Sequence, residues 1–144
     1  MDSNVRLFVD TNVAIDYAIR RKGHAREAIA LFGLASQGRV RLAAAAMTFP
    51  FTYYIARGAS GLHVAADTAV GDLRARCAVV AMDAALVDAA RVNPIDDLED
   101  AVQYECALRF GAEAIITRDQ KDFAAGTLPA YSAAEWLTLN LPNS

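Results

Sequence analysis

Val5-Arg6-Leu7-Phe8-Val9-Asp10-Thr11-Asn12-Val13-Ala14-Ile15-Asp16-Tyr17 decides the fold. Val5 to Val9 is a short β-rich run that stops at an acid, and it reads as a buried strand. Thr11 to Arg20 then reads as a helix, with Val13, Ile15, Tyr17 and Ile19 apolar. Arg20-Arg21-Lys22-Gly23 closes it with cations and a glycine. The acid between strand and helix, Asp10, therefore sits at the carboxyl end of a strand.

Outward from this stretch the pattern repeats. His24 to Gln37 reads as a helix ended by Gly38, and Val40 to Ala46 as a second strand. Thr48 starts a helix with Pro50 in its first turn and Tyr54 and Ile55 facing inward. Ser60 caps a helix to about Ala75, and Cys77 to Met82 is a third strand. Asp83 caps a helix to about Arg91, and Asn93-Pro94 makes a turn. Asp97 opens a helix that runs to Phe110 and ends at Gly111. Ala114 to Thr117 is a fourth strand and Pro129 to Ser132 a short fifth. Ser132 caps a last helix carrying Trp136 and Leu137. Strands alternating with helices imply an α/β three-layer sandwich on a mostly parallel sheet of four to five strands, and 144 residues suit one domain, 1–144.

Composition narrows the classes. The chain is 55 % apolar, much of it in 31 alanines, so a core is available from small helix-forming side chains. A net charge of −3 excludes a wholly basic nucleic-acid-gripping surface but leaves room for a local patch or a bound cation. Twelve of the 17 acids are Asp, an excess that points to caps, turns or site chemistry. Cys77 and Cys106 are too few for a disulfide scaffold or zinc site and read as small buried hydrophobes. Met1-Asp2-Ser3-Asn4 carries no leader pattern, and no run approaches the ~18 apolar residues of a membrane span. A cytoplasmic protein with no membrane partner is expected.

Parallel sheets bind ligands outside the carboxyl ends of their strands. That edge carries Asp10 after the first strand and Thr117-Arg118-Asp119-Gln120-Lys121-Asp122 after the fourth. Asp96-Asp97-Leu98-Glu99-Asp100 adds four acids at a helix start. Asp97, Asp100, Ala101 and Tyr104 share one helical face, and Leu98, Ala101, Val102 and Cys106 form a more buried side. Each acid has a structural alternative. Asp10 suits an N-cap, Asp97 with Asp100 suits a capped first turn, and Asp119 suits a polar turn. As a group, carboxylates on one edge repel unless a cation joins them, and Mg²⁺ or Mn²⁺ is the natural partner. Such an ion activates water and offsets phosphate charge. Asn12 is placed to orient Asp10. Arg118 and Lys121 are candidates for substrate phosphates, as are Arg20, Arg21 and Lys22, which also suit a cationic helix end. His24 and His63 have no ligand spacing and read as surface residues.

These residues resemble a known family. Val9-Asp10-Thr11-Asn12-Val13 with Asp16 is similar to the opening motif of PIN domains. Leu98-Glu99-Asp100-Ala101-Val102-Gln103-Tyr104, Gly111 to Asp119 and Lys121-Asp122-Phe123 resemble the closing half, about ninety residues on, and Ser132 to Leu137 the last segment. The resemblance implies a metal-dependent, single-strand-directed ribonuclease, the bacterial VapC-like toxins of toxin–antitoxin pairs being the commonest members. By position it makes Asp10, Asp100 and Asp119 the catalytic and metal-binding acids. Asp122 matches a further acid of the family, and Thr117 and Asn12 would orient carboxylates or water. Apart from the resemblance, Asp97, Glu99 and Asp122 are candidates to support the set. The resemblance implies an RNA substrate and leaves room for an antitoxin protein and a homodimer.

One position departs from the family. Its usual acid in the helix after the second strand is missing, since no acid occurs between Glu27 and Asp67. Phe51 stands in that place. Two other functions stay open at this stage. One is a degenerate member that binds RNA or protein with weak catalysis or none. The other is an aspartyl-phosphate enzyme at Asp10, disfavoured by Asn12 where a second Asp is wanted and by Arg118 after Thr117.

Overall fold

The computed structural model describes residues 5–141. The segment Met1-Asp2-Ser3-Asn4 lies outside them. Five strands are present, β1 (Arg6–Val9), β2 (Arg41–Ala45), β3 (Cys77–Val80), β4 (Ala114–Ile116) and β5 (Ala130–Tyr131). Seven α-helices connect them among the described residues. These are α1 (Thr11–Ala18), α2 (Ala25–Ser36), α3 (Thr48–Ser60), α4 (His63–Arg76), α5 (Ala84–Arg91), α6 (Leu98–Phe110) and α7 (Ala133–Asn140), with a 3-10 helix at Gln120–Phe123.

The sheet runs β3-β2-β1-β4-β5 and every pair is parallel. Alternation along β1 sorts the two faces. Leu7 and Val9 enter a core with α1, α2, α4 and α7, including Leu31, Phe32, Leu73 and Trp136. Phe8 enters the opposite core with α5 and α6, including Leu86, Val102, Cys106 and Phe123. Phe8 pairs with Ala43 on one side and Ile115 on the other, so bulk on the central strand meets small or branched neighbours. The three-layer sandwich expected from the sequence is thus the one observed, with all five strands parallel.

From β1 the chain moves to β2 on one side, while β4 lies on the other. The carboxyl ends of β1 and β4 therefore border the crevice where the winding reverses, the place such sheets use for ligands.

Several local expectations are corrected. Tyr54 and Ile55 face outward, at 71% and 43% exposed, because the buried side of α3 is the smaller set Thr48, Phe49, Thr52 and Ala56. Leu98 is likewise exposed, and α6 buries Ala101, Val102, Gln103 and Tyr104 instead. Ser60 ends α3 rather than capping α4, since Gly61 takes the left-handed conformation at φ 73° and Leu62 becomes the N-cap residue. Arg20 lies outside α1, at φ 54°, with its guanidinium over the Tyr17 ring. The caps at Asp83 and Asp97 form as expected, and Ser132 forms a full capping box with Glu135. Cys77 and Cys106 are buried, which pushes their thiols up to about 12 and about 11. Burial therefore disfavours the thiolate form of both.

The loop from the 3-10 helix into β5 is fixed by Tyr104. Its hydroxyl accepts from Thr127 N at 2.7 Å and Leu128 N at 3.1 Å. Gly126 packs directly on the ring, and a Cβ there would overlap Tyr104. Gly126→Ala is expected to destabilise the fold by about 1–3 kcal/mol through overpacking. Thermal unfolding checks this, and an unchanged midpoint refutes it.

Candidate active site

Asp10 joins strand to helix. Its N–H donates to the Ile116 carbonyl at 2.9 Å, which continues the β1–β4 ladder, and its carbonyl accepts from Ala14 N at 3.1 Å, which starts α1. The carboxylate does not cap that helix. Instead Oδ2 accepts from the Thr117 hydroxyl at 2.7 Å. Thr117 is fully buried at the end of β4, and its Oγ1 also accepts from Asp119 N at 3.0 Å. One threonine therefore ties the carboxylate after β1 to the turn after β4.

Three buried polar side chains brace this junction from behind. Gln103, 1% exposed, accepts from Thr11 N at 2.9 Å and from the Thr11 hydroxyl at 3.2 Å. Thr11 and Thr48 share a hydroxyl–hydroxyl bond of 2.9 Å, which brings in the start of α3. Burial raises the carboxyl pKa of Asp10, the bonds from Thr117 and Gln103 hold it down in part, and the charge of Asp119 raises it further. The carboxylate is thus held by neutral donors beside a second acid.

Asp100 lies half-buried one turn before Gln103 on α6. Its carboxyl is pushed up to about 6, first by burial and then by the charges of Asp97, Asp122, Asp10 and Glu99. The acids singled out from the sequence thus share one electrostatic field. They do not form a ready-made chelate. Among the described residues no three His, Cys, Asp or Glu side chains stand close enough to grip one ion. Asp119, Asp122, Lys121 and Asn12 are exposed, and Asp97 is engaged at the start of α6, where its Oδ1 accepts from Asp100 N at 3.0 Å.

A pH dependence follows from Asp100. A folded-state carboxyl that binds its proton more tightly than in the unfolded chain favours the native state at low pH. In EDTA, stability is expected to fall as pH rises from the ordinary carboxyl value near 3.8 to about 6, and to change little above that from this group. Asp100→Asn flattens that part of the curve. Denaturant midpoints across this range check it, and an unaltered slope refutes it.

Arg118 is engaged within the protein. It donates through Nε to Asp16 Oδ2 at 2.9 Å and through Nη2 to Oδ1 at 3.3 Å, and Arg21 pairs with the same carboxylate at 3.3 Å. Any phosphate that meets Arg118 must share it with Asp16, which is only 2% exposed. Arg20 donates to the Tyr17 carbonyl and stacks over the same residue's ring. Phe51, in the place of the missing acid, is 41% exposed one turn beyond Thr48. Sequence reasoning missed Gln103, Thr48 and the buried role of Asp16. Gln103 was legible only as a polar residue among Ala101, Val102 and Tyr104.

A family model described as the PIN domain matches residues 6–121, most of the chain and both halves of the carboxylate edge. The chain belongs to the PIN domain family. Two solved structures share the fold. One is VapC20 of Mycobacterium tuberculosis, described as a sarcin-ricin loop cleaving toxin. It is 19% identical, with a TM-score of 0.64 over 83% of this chain and 95% of that one. The other is VapBC2 of Rickettsia felis bound to a DNA fragment from its promoter. It is 12% identical, with a TM-score of 0.66 over 88% of this chain and 97% of the other. At these identities the likeness is one of fold. No curated protein matches the sequence significantly. Among the described residues no helix is long and apolar enough to cross a membrane.

Proposed function

We propose that this PIN domain, spanning 1–144, is a metal-dependent endoribonuclease acting on RNA in the cytoplasm as the toxin of a bacterial toxin–antitoxin pair. A protein antitoxin and a second copy of the chain would be its partners. The observation that carries the reading is the buried Asp10 carboxylate. It is hydrogen-bonded by Thr117 at the sheet's reversal point and shares its field with Asp119 and Asp100, the latter also meeting the charge of Asp122.

The donor chemistry suits Mg²⁺ or Mn²⁺. Such ions take carboxylate oxygens, keep several waters, and are commonly held by one or two carboxylates plus substrate phosphate. A site without a three-acid grip is therefore compatible with them. When bound, the ion supplies positive charge for the phosphodiester transition state and a lowered pKa for attacking water. Asp10 and Asp100 would hold it and Asp119 would support them. Thr117 fixes the orientation of Asp10, while Gln103 and Thr48 keep Thr11 and the helix start from shifting. Glu99 and Asp97 add negative charge near Asp100.

The test is cleavage of single-stranded RNA with Mn²⁺ by wild type and by the Asp10→Asn/Asp100→Asn variant. Loss of cleavage in the variant is expected, and equal cleavage overturns the reading. A second reading is favoured by one observation, an exposed Phe51 in place of the usual acid. In that reading the protein binds RNA or a partner without efficient catalysis. Calorimetry with Mn²⁺ separates the two, since an enzyme of this kind binds the ion and loses that binding with Asp10→Asn.

A further inference from the structure

Acids and bases are unevenly divided between the two ends of the sheet, although Arg118 and Lys121 share the acidic edge and Glu113 precedes β4. The acids just described lie at the carboxyl ends of the strands. The amino ends of β1 and β2 begin with Arg6 and Arg41, which are register partners on adjacent strands. Arg74 and Arg76 end α4, immediately before β3. An open cleft of about 550 Å³ crosses this edge, between the end of α2 and the end of α4, with Ser36, Arg41, Arg74 and Arg76 in its lining.

The positive charge here exceeds what the surroundings neutralise. Asp72 pairs with Arg76 at 2.6 Å and also accepts from the Tyr17 hydroxyl at 2.5 Å. Arg74 donates to the Cys77 carbonyl at 3.3 Å, and no acid among the described residues pairs with its charge. Cations at a helix end answer the helix dipole, and that accounts for Arg74 and Arg76. It does not account for Arg41, exposed at the start of a strand. Twelve of the 14 basic residues of the chain are arginines, the side chain whose planar fork matches phosphate.

We propose that this cleft binds the sugar–phosphate backbone of RNA. Arg6 donates to the Phe110 carbonyl at 3.0 Å and stacks over the same residue's ring, outside the cleft. The cleft's own arginines are spread between the start of β2 and the end of α4 rather than converging on one point, which suits a polyanion that runs along the edge. Without a bound ion the carboxylate edge repels phosphates, so a second, cationic surface would add to the affinity for RNA. The amino edge lies about one strand length away, roughly 16 Å for the five residues of β2 at ~3.3 Å each. The proposal rests on the ribonuclease reading only for the identity of the polyanion.

The experiment measures binding of a short labelled single-stranded RNA in EDTA, where no cleavage intervenes, over a series of salt concentrations. Wild type, Arg41→Gln, Arg41→Gln/Arg74→Gln and the control Arg91→Gln, an exposed arginine at the end of α5, are compared. Each phosphate contact contributes about 0.7 to the slope of log affinity against log salt for single strands, so the double variant is expected to lose about 1.4. Arg41→Gln alone is expected to lose about half of that, and Arg91→Gln nothing. Arg41 is exposed, so the single variant keeps the proposal testable should the double variant fold poorly. Unchanged binding and slope in Arg41→Gln overturn the proposal, even if wild type cleaves RNA. Displacement of the RNA by inorganic phosphate at concentrations too low to act as general salt also overturns it, by marking a small-anion site. Arginine-dependent binding by a protein that cleaves nothing upholds the proposal and rejects the ribonuclease reading.

Discussion

Asp10→Asn is expected to reduce RNA cleavage by at least about 100-fold while leaving the fold as stable as wild type or more stable in EDTA. The two effects have opposite causes in one side chain. Asp10 is 5% exposed, and its burial disfavours the charged form. An asparagine has nearly the same shape and keeps an oxygen to accept the Thr117 hydroxyl. It removes a buried charge whose neighbours are neutral donors or other acids. Neutralising such a charge is often stabilising. The same charge is what a divalent ion needs, and losing one hard oxygen ligand from so sparse a set leaves little to hold it. Melting in EDTA and cleavage with Mn²⁺, measured on the same preparations, check both halves. Unchanged cleavage rejects Asp10 as a ligand. A large fall in the melting temperature identifies the carboxylate as structural instead.

The gross fold was legible because the strands are continuous apolar runs. Leu7-Phe8-Val9 and Ala114-Ile115-Ile116 are buried on both faces of a parallel sheet, so they need no alternation to be recognised. Glycine and capping side chains marked Gly111, Asp83, Asp97 and Ser132 for the same reason that they work physically, through left-handed backbone and helix capping. The orientation of helix faces was less legible. Tyr54 and Leu98 are large and apolar, yet α3 and α6 bury Thr48, Thr52 and Gln103 in preference. Those polar residues are satisfied by Thr11 and by backbone, which makes their burial tolerable. Such pairings between residues 37 and 92 positions apart leave no periodic trace in a sequence. The acids of the candidate site were legible as a group on one sheet edge. Among the described residues they form no three-acid grip, a matter of spacing in space that positions along the chain do not reveal. The net charge of −3 hid the arginine edge altogether, because a sum over the chain erases a separation along the strands.

Asp16→Ala is expected to destabilise the protein by about 3 kcal/mol and to lower cleavage as well. Asp16 is 2% exposed on α1, and it meets Arg118 from the turn after β4 and Arg21 from the segment after α1. Breaking a buried ion pair costs about 3–5 kcal/mol when a charge is left stranded without water. Here the stranded charges are the arginines, and their side chains are about one-third exposed, at 33% and 34%. They can rehydrate, which places the loss at the lower end of that range. The reverse substitution, Arg118→Ala, leaves the buried acid with Arg21 alone among its cations, at 3.3 Å on Oδ1. The effect on cleavage has a separate origin. Arg118 lies between Thr117, which holds Asp10, and Asp119, whose N–H donates to Thr117. Releasing Arg118 from Asp16 loosens the turn that sets both acids. Asp16→Asn keeps the shape and one acceptor for Arg118, so it is expected to recover part of the stability and more of the activity than Asp16→Ala. Chemical denaturation and Mn²⁺-dependent cleavage of the two variants check this order. Equal activity in both at a temperature where both are folded shows that Asp16 supports the fold without positioning the site.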